Sequence, residues 1–198
     1  MKVKCEAVFN RPLLNAIRAA SFSSVPVVRP IGFVVADTSN VVSLPDTVLE
    51  DMTKFIANVS RGEFIASGNK ELIICQATCS GELKLSELLN GSDISAVEDF
   101  PILHSTEPVT VKVLFRYSRG CYSISQNTDF LEKHVASNCV VVNSRHCPVE
   151  NFSVLEANTS AARDTFEITI NTVSGVDDNT VWNESIDTLI SELKHLKR

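Results

Sequence analysis

The sequence predicts an α+β protein with two subdomains, and three observations support this prediction. An amphipathic helix stands near each end of the chain, over residues 13–24 and 181–197. The long middle is rich in β-branched and aromatic runs that are separated by turn residues. No internal repeat or low-complexity linker interrupts this order. We therefore expect the two ends to meet in one αβ subdomain and the β-rich middle to be inserted between them.

Composition limits the class of protein. A chain of 198 residues with 44% hydrophobic residues has room for one domain or two small ones with a real core. The net charge of −6 argues against a free-standing nucleic-acid binder that relies on phosphate contacts. A subunit of a larger nucleic-acid machine remains compatible with that charge. The sequence has no signal-peptide core, and no run approaches the roughly 18 apolar residues of a membrane span, so we expect a soluble intracellular protein.

The first 26 residues predict a strand and then a helix. Residues 2–8 alternate polar and apolar side chains, which is typical of a strand. Pro12 suits a first helical turn, and Val25, because it precedes Pro26, leaves helical geometry, so the helix should end near Ser24. Its apolar stripe faces either a core or a partner and consists of Leu13, Leu14, Ala16, Ile17 and Ala20.

The middle of the chain predicts short strands and one clear helix. We expect that helix over residues 44–59, capped by Asp46 or Thr47 with Glu50 and Asp51 in its first turns. Hairpins are expected from Phe64 to Glu82, and residues 82–89 fit either a strand or a helical turn. The predicted turns are residues 37–40, Gly68-Asn69, Ser80-Gly81, residues 90–93 and residues 106–108. The other predicted strands are residues 27–36, 101–104, 109–117, 140–142, 149–155 and 166–173.

The last part of the chain predicts the closing helix. Residues 126–139 look loop-like with a short helix over 129–136. Residues 177–180 provide a cap for the helix at 181–197. The stripe of the closing helix consists of Ile186, Leu189, Ile190, Leu193 and Leu196.

Chemistry-bearing residues do not assemble into a convincing motif. Cys75, Cys79, Cys139 and Cys147 with His146 are poorly spaced for zinc, so we interpret them as structural thiols. His146 and Cys147 are adjacent, and neighbours in a strand point to opposite faces, which argues against a nucleophilic pair. We therefore expect no catalytic residue, metal or cofactor, and favour an interaction protein. A small Cys-dependent or metal-binding enzyme and a free-standing β-rich binding module remain alternatives.

Six short motifs follow one another along the chain: residues 14–18 with Ser23-Ser24-Val25-Pro26, residues 48–51, Asp93-Ile94, residues 119–122, residues 147–150 and residues 166–175. Their order resembles that of the N-terminal assembly domain of the bacterial RNA polymerase alpha subunit. Residues 14–18 with Ser23-Ser24-Val25-Pro26 are similar to the family's N-A-L-R-R … S-x-x-P helix. Residues 48–51 resemble its V-x-E-D element, and Asp93-Ile94 resembles its A-x-D-I step. Residues 119–122 are similar to the family's R-G-x-G-Y motif, and residues 147–150 are similar to its S-P-V-E/K turn. Residues 166–175 resemble its L-x-I-E-x-x-T-N-G strand. Ala19 stands where the family has a second arginine, and Val173-Ser174-Gly175 replaces its T-N-G.

The resemblance implies an alpha-subunit-like fold and a scaffolding role. It implies a dimerisation subdomain of residues 1–26 plus 148–198 and an inserted β-rich subdomain of residues 27–147. Dimer-interface residues would be Leu13, Leu14, Ala16, Ile17, Ala20, Ile186, Leu189, Ile190 and Leu193. Docking residues for the large catalytic subunits would be Asn15, Arg18, Pro148 and Glu150.

The resemblance also implies partners and a location. These are a second alpha-like subunit, two large RNA polymerase subunits, and nucleic acid only through the assembled complex. A homodimer is favoured over a heterodimer of the archaeal, eukaryotic or viral kind. The family's C-terminal DNA-binding module is not expected here. Such a reduced form suits a viral or organellar polymerase. The expected location is therefore the cytoplasm, a virion, or the stroma or matrix of an organelle.

Overall fold

The computed structural model describes residues 2–6, 11–35, 44–135, 139–160 and 163–196. These residues form a mixed α+β protein whose strand pairs are antiparallel. The elements in chain order are β1 (Lys2–Glu6), α1 (Arg11–Ser21), β2 (Val27–Val35), α2 (Met52–Ser60), β3 (Phe64–Ala66), β4 (Leu72–Lys84), α3 (Leu85–Leu89), β5 (Ile94–Ala96), β6 (Pro101–Ser118), β7 (Gly120–Tyr122), α4 (Ile124–His134), β8 (Val140–Val141), β9 (Ser144–His146), β10 (Val149–Ser160), β11 (Arg163–Thr172) and α5 (Asp178–Leu196).

The chain divides into two compact units. The terminal unit contains Met1–Pro26 and Cys147–Arg198, and the central unit contains Val27–His146. The boundaries predicted from the sequence lie between residues 26 and 27 and between residues 147 and 148. Both chain ends therefore contribute to one unit, and the continuous middle of the chain forms the other.

The terminal unit packs two helices on a three-stranded sheet. The strand order is β1-β11-β10, so the first strand of the chain lies beside its last strand. The core consists of Leu14, Ile17, Cys147, Val149, Phe152, Phe166, Ile168, Ile170 and Val181. α1 ends at Ser21, earlier than the predicted Ser24, because serine hydroxyls bind its last carbonyls. Ser21 Oγ donates to the Arg18 carbonyl at 2.7 Å, and Ser24 Oγ donates to the Ser21 carbonyl at 3.1 Å.

The central unit is built around a four-stranded sheet with the order β4-β6-β2-β8. β6 is 18 residues long and pairs with β4 on one side and with β2 on the other. The main core lies between this sheet and α2 with α3. Edge-to-face aromatic pairs fill it, with ring centroids 5.6 Å apart for Phe33 and Phe55 and 4.9 Å apart for Phe64 and Phe115.

Two predicted turns lie inside long strands, so these predictions were wrong. Ser80-Gly81 is part of β4, and residues 106–108 are part of β6. The register shifts between the pairs Cys79↔Val109 and Gly81↔Ser105, which makes an irregular bulge. Gly81 has a φ of +103° there, which a glycine adopts without strain. Turn-forming residues thus mark a bulge in a continuous ladder.

The second predicted helix begins later than expected. α2 starts at Met52, and Asp51 is its N-cap, with Asp51 Oδ1 accepting from Lys54 N at 2.7 Å. The predicted caps Asp46 and Thr47 are wrong because the preceding segment is bound to β6. Leu49 N donates to the His104 carbonyl at 2.9 Å, and Thr106 N donates to the Thr47 carbonyl at 2.8 Å. Those backbone groups are therefore not available for a helix.

Other local predictions differ from the structure in detail. β3 pairs with β5, so the expected hairpins between Phe64 and Glu82 do not form. Residues 82–89 contain both predicted alternatives, the end of β4 and the short helix α3. α4 begins at Ile124 because Ser123 and Gln126 form a capping box, five residues before the predicted start. The predicted turn at residues 37–40 lies outside the described residues.

Candidate interaction surface

Two of the predicted interface residues belong to the core of the terminal unit. Leu14 is 4% exposed and Ile17 is 1% exposed, and both pack in the cluster that includes Phe152, Ile168 and Ile170. These two side chains therefore stabilise the chain's own fold. Leu13, at 37% exposed, lies at the surface of the same helix.

The stripe of α5 changes character along the helix. Ile186 and Leu189 are half-buried and pack on the terminal-unit core. Beyond them Ile190 is 43% exposed, Leu193 is 61% exposed and Leu196 is 80% exposed. We call these three residues the α5 stripe; they follow one another at three-residue intervals and so share one side of the helix. Ala16 and Ala20 of α1 are half-buried.

Of the four residues predicted to dock the large subunits, three are exposed and one is buried. Asn15, Arg18 and Glu150 are exposed, and the Arg18 guanidinium lies 5.9 Å from the centre of the Phe22 ring. Pro148 is buried, and its carbonyl accepts a hydrogen bond from Val173 N at 3.0 Å. Its assignment as a surface contact is thus corrected, because Pro148 holds the start of β10 against the end of β11.

A cleft of about 400 Å³ lies beside α1 in the terminal unit. It is lined by Arg11, Leu14, Asn15, Val154, Leu155 and Phe166. Leu155 is 62% exposed and Val154 is 38% exposed. The sequence reasoning missed both residues, although adjacent apolar residues in a strand cannot both face one core. The cleft places apolar surface next to Asn15, one of the predicted docking residues.

His104 bridges two carboxylates in the central unit. Its Nδ1 lies 2.8 Å from Glu50 Oε1, its Nε2 lies 3.2 Å from Glu82 Oε2, and its backbone N–H donates to Glu50 Oε2 at 2.7 Å. The hydrogen bond to Glu50 raises the pKa of His104, and burial opposes it. Burial pushes the pKa of Glu50 up, but the bonds from His104 outweigh burial and lower it. The pair fixes the segment before α2 on β6.

His146 is fully buried, and both its ring nitrogens have partners. Nδ1 lies 2.9 Å from the Val27 carbonyl, and Nε2 lies 3.0 Å from Ser144 Oγ. Burial lowers the pKa of His146 to about 4, and the charges of Arg116 and Arg29 act in the same direction. The neutral ring therefore donates to the carbonyl through Nδ1 and accepts from the serine hydroxyl through Nε2.

The cysteines of the described side chains are free thiols: Cys75 and Cys147 are buried, Cys79 and Cys139 are partly buried, and Cys121 is exposed. Cys147 Sγ donates to the Val149 carbonyl at 3.1 Å. Burial raises the pKa of Cys75, Cys79 and Cys139, which makes these thiols poor nucleophiles. Among the residues that the structure describes, no group of three or more His, Cys, Asp or Glu side chains is arranged to hold a metal ion.

Comparison with known proteins adds no family assignment. No protein-family model matches the sequence, and no curated protein gives a significant match to it. Within the described residues, no helix combines the length and apolar character that crossing a membrane requires.

Proposed function

We propose that this chain is a non-catalytic assembly subunit of a multisubunit DNA-directed RNA polymerase, with an alpha-subunit-like fold. It would dimerise through the terminal unit and dock the two large catalytic subunits. One observation carries the proposal: the two chain ends form a single αβ unit in which α1 packs beside α5 and the α5 stripe stays exposed. The resemblance to the alpha subunit, whose motifs occur in the same order from residue 2 to residue 196, supports the same proposal.

The α5 stripe supplies the apolar surface that a dimer needs. Burying a leucine side chain stabilises by about 1.5–3 kcal/mol, and Leu193 leaves 61% of its surface unburied. Its burial in a dimer would therefore contribute about 1–2 kcal/mol per protomer. Ile190 and Leu196 extend the stripe along the same side of the helix.

Docking of the large subunits would use the exposed polar residues of the terminal unit. Asn15 and Arg18 lie on α1, and the cleft with Val154 and Leu155 adjoins Asn15. Polar groups around an apolar cleft are the usual composition of a protein interface. Ala19 gives α1 one charge fewer than the family's helix, so docking would depend more on Arg18.

The first experiment measures the solution mass of the purified chain and of two variants. We expect twice the chain mass of 21.7 kDa for the wild type and a shift to monomer for Leu193→Asp. The loss of about 2–4 kcal/mol per dimer corresponds to a dissociation constant at least about 30-fold higher. Ser191→Asp adds the same charge at an exposed position on the same helix and should remain a dimer.

Affinity purification from the native source tests the class of complex. Two very large subunits should co-purify with the tagged chain. A chain that is monomeric alone but co-purifies with a different alpha-like subunit and both large subunits would indicate the heterodimeric alternative. A stable monomer that brings down no large subunit would refute the proposal.

A further inference from the structure

β4 forms an open edge of the central sheet. In the described part of the chain, β4 is hydrogen-bonded to β6 and to no strand on its other side. Its pairing with β6 is regular from Leu72 to Cys79, a length of about 24 Å at 3.4 Å per residue. The bulge at Ser80 and Gly81 ends this regular stretch.

The register shows which backbone groups face the open edge. Tyr117 N donates to the Glu71 carbonyl at 2.9 Å, and these residues lie directly opposite in the ladder next to the Leu72↔Arg116 pair. Hydrogen-bonded pairs alternate along an antiparallel ladder, so every second residue after Glu71 is bonded to β6. The residues between them direct N–H and C=O outward: Leu72, Ile74, Gln76 and Thr78.

A side-chain contact supports the same assignment. Thr78 and Thr110 are opposite each other, and their Oγ1 atoms are 2.8 Å apart. Such close side chains are typical of a pair without mutual backbone hydrogen bonds, where the Cα atoms are about 4.5 Å apart. Thr78 therefore keeps its backbone donor and acceptor for the open edge.

The edge lacks the usual features that prevent strand addition. Natural edge strands are commonly blocked by proline or charged side chains, and β4 has neither between Leu72 and Gly81. Ile74 is 46% exposed, and Gln76 and Thr78 are also exposed. From Leu72 to Gly81, neither a proline nor a charged side chain of β4 therefore blocks the edge.

Two adjoining grooves run along β4. One, of about 390 Å³, follows Leu72 to Gln76 and is bounded by the turn at residues 90–93. The other, of about 450 Å³, follows Gln76 to Leu83 and is bounded by Glu87 and Asn90. Gln76 and Asn90 line both. Together the grooves provide space for an extended segment alongside the strand.

Charge differs between the two ends of this surface. Glu82 and Glu87 line the groove beside the C-terminal half of β4, and none of the described residues that line it is basic. Burial and then the charges of Glu87 and Glu50 raise the pKa of Cys79, which indicates negative potential there. His104 is bonded to Glu82 and offsets part of this charge. At the other end Lys70 is paired with Asp93 at 2.7 Å.

We propose that the open edge of β4 binds an extended peptide segment of a partner protein, which adds as an antiparallel strand with basic residues at its N-terminal end. Antiparallel pairing is slightly more stable per residue than parallel pairing, and it brings that end to Glu82 and Glu87. A second copy of the chain fits less well, because its Lys70 is already neutralised by Asp93. The proposal does not depend on the polymerase assignment.

The probe is the synthetic peptide Lys-Lys-Thr-Val-Thr-Val-Thr-Val, titrated into the full chain and followed by amide exchange in NMR spectra. We expect saturable binding that slows exchange at Ile74, Gln76 and Thr78. The amides of Ile73 and Cys75 are bonded to β6 and should already exchange slowly in the free protein. This alternating pattern distinguishes strand addition from binding elsewhere.

Variants of the protein and the peptide provide matched controls. Gln76→Pro removes one outward N–H without breaking a bond to β6, and we expect at least about tenfold weaker binding. Gln76→Thr keeps the N–H and should bind within about twofold of wild type, since a β-branched residue suits a strand. Replacing the two lysines of the peptide by glutamates should weaken binding at low salt.

Several outcomes would overturn the proposal. These are no saturable binding of either peptide, equal binding to Gln76→Pro, or slowed exchange confined to residues outside β4. A second copy of the chain would occupy the edge instead if two results occurred together. The amides of Ile74, Gln76 and Thr78 would exchange slowly in the free protein, and the wild type would have twice the chain mass while Gln76→Pro would be a monomer. If Gln76→Pro does not fold, the exchange pattern of the wild type decides alone.

Discussion

Acidification should destabilise the central unit through His146. The ring is fully buried and neutral, with its pKa lowered from 6.5 to about 4. Between these values the unfolded chain binds a proton that the folded chain does not. The free energy of unfolding therefore falls as the pH drops below 6.5 and stops falling near pH 4. At about 1.4 kcal/mol per pH unit, the total loss is about 3 kcal/mol.

His104 acts in the opposite direction and must be separated from this effect. Because the pKa of His104 is raised, its contribution to stability is complete below its ordinary value of 6.5 and is lost as the pH rises through its folded value. The slope of the wild type alone therefore mixes two histidines. The difference between wild type and His146→Gln isolates the buried ring.

The assay is urea denaturation between pH 4 and pH 8, followed by far-UV circular dichroism. Trp182, the single tryptophan, lies in the terminal unit, so its fluorescence reports that unit separately. His146→Gln should lose less stability on acidification than wild type, and His104→Gln should lose more. Parallel pH profiles for wild type and His146→Gln would refute the reasoning. If His146→Gln does not fold, an NMR titration of the wild-type ring should give a midpoint near 4.

Two further predictions concern single side chains. Glu50→Gln removes the charge that faces His104, a side chain that is 39% exposed, and should lower the free energy of unfolding by about 1 kcal/mol. Between pH 4.5 and 6.5 both partners are charged, so the loss is largest there. It shrinks as the pH rises through the raised pKa of His104, and a loss that does not shrink at any pH above 6.5 would contradict this. Ile17→Asp places a carboxylate in a site that is 1% exposed, and should cost at least about 4 kcal/mol. Trp182 emission should then report an unfolded terminal unit, and a cooperative transition like that of wild type would refute the core assignment of Ile17.

Periodicity in the sequence predicted the helices and strands whose residues face their own neighbours. α1 and α5 were predicted because their apolar residues recur every three or four positions. β2 and β11 were predicted because β-branched residues fill or alternate along them. These patterns depend only on residues close together in the sequence, so they can be recognised without knowledge of the fold.

Interactions over long sequence separation were not predictable. The pattern of residues 46–51 fits a helix N-terminus, but Glu50 is bound to His104, 54 positions away. Ser80-Gly81 has turn composition, yet β6 continues the ladder past it. The open edge of β4 is likewise a property of strand order, which no local pattern contains.

The candidate surface was predictable only in part. A hydrophobic stripe on a helix indicates that the helix packs, and it does not separate core from surface. Leu14 and Leu193 carry the same signal, yet Leu14 is 4% exposed and Leu193 is 61% exposed. The difference arises because Leu14 packs in the terminal-unit core, whereas Leu193 lies beyond Leu189, the last residue of α5 that packs against that core.

The pairing of β1 with β11 fixes an order of events during synthesis. Lys2 lies opposite Thr169, so β1 is made well over a hundred residues before its partner strand exists. The three longest strands of the central sheet are made earlier, since β2 and β4 both pair with β6, which ends at Ser118, and only β8 follows. At about 5–20 residues per second, β1 waits for about 10–30 seconds on the ribosome. A chaperone or a growing partner complex would meet α1 with its apolar face still uncovered.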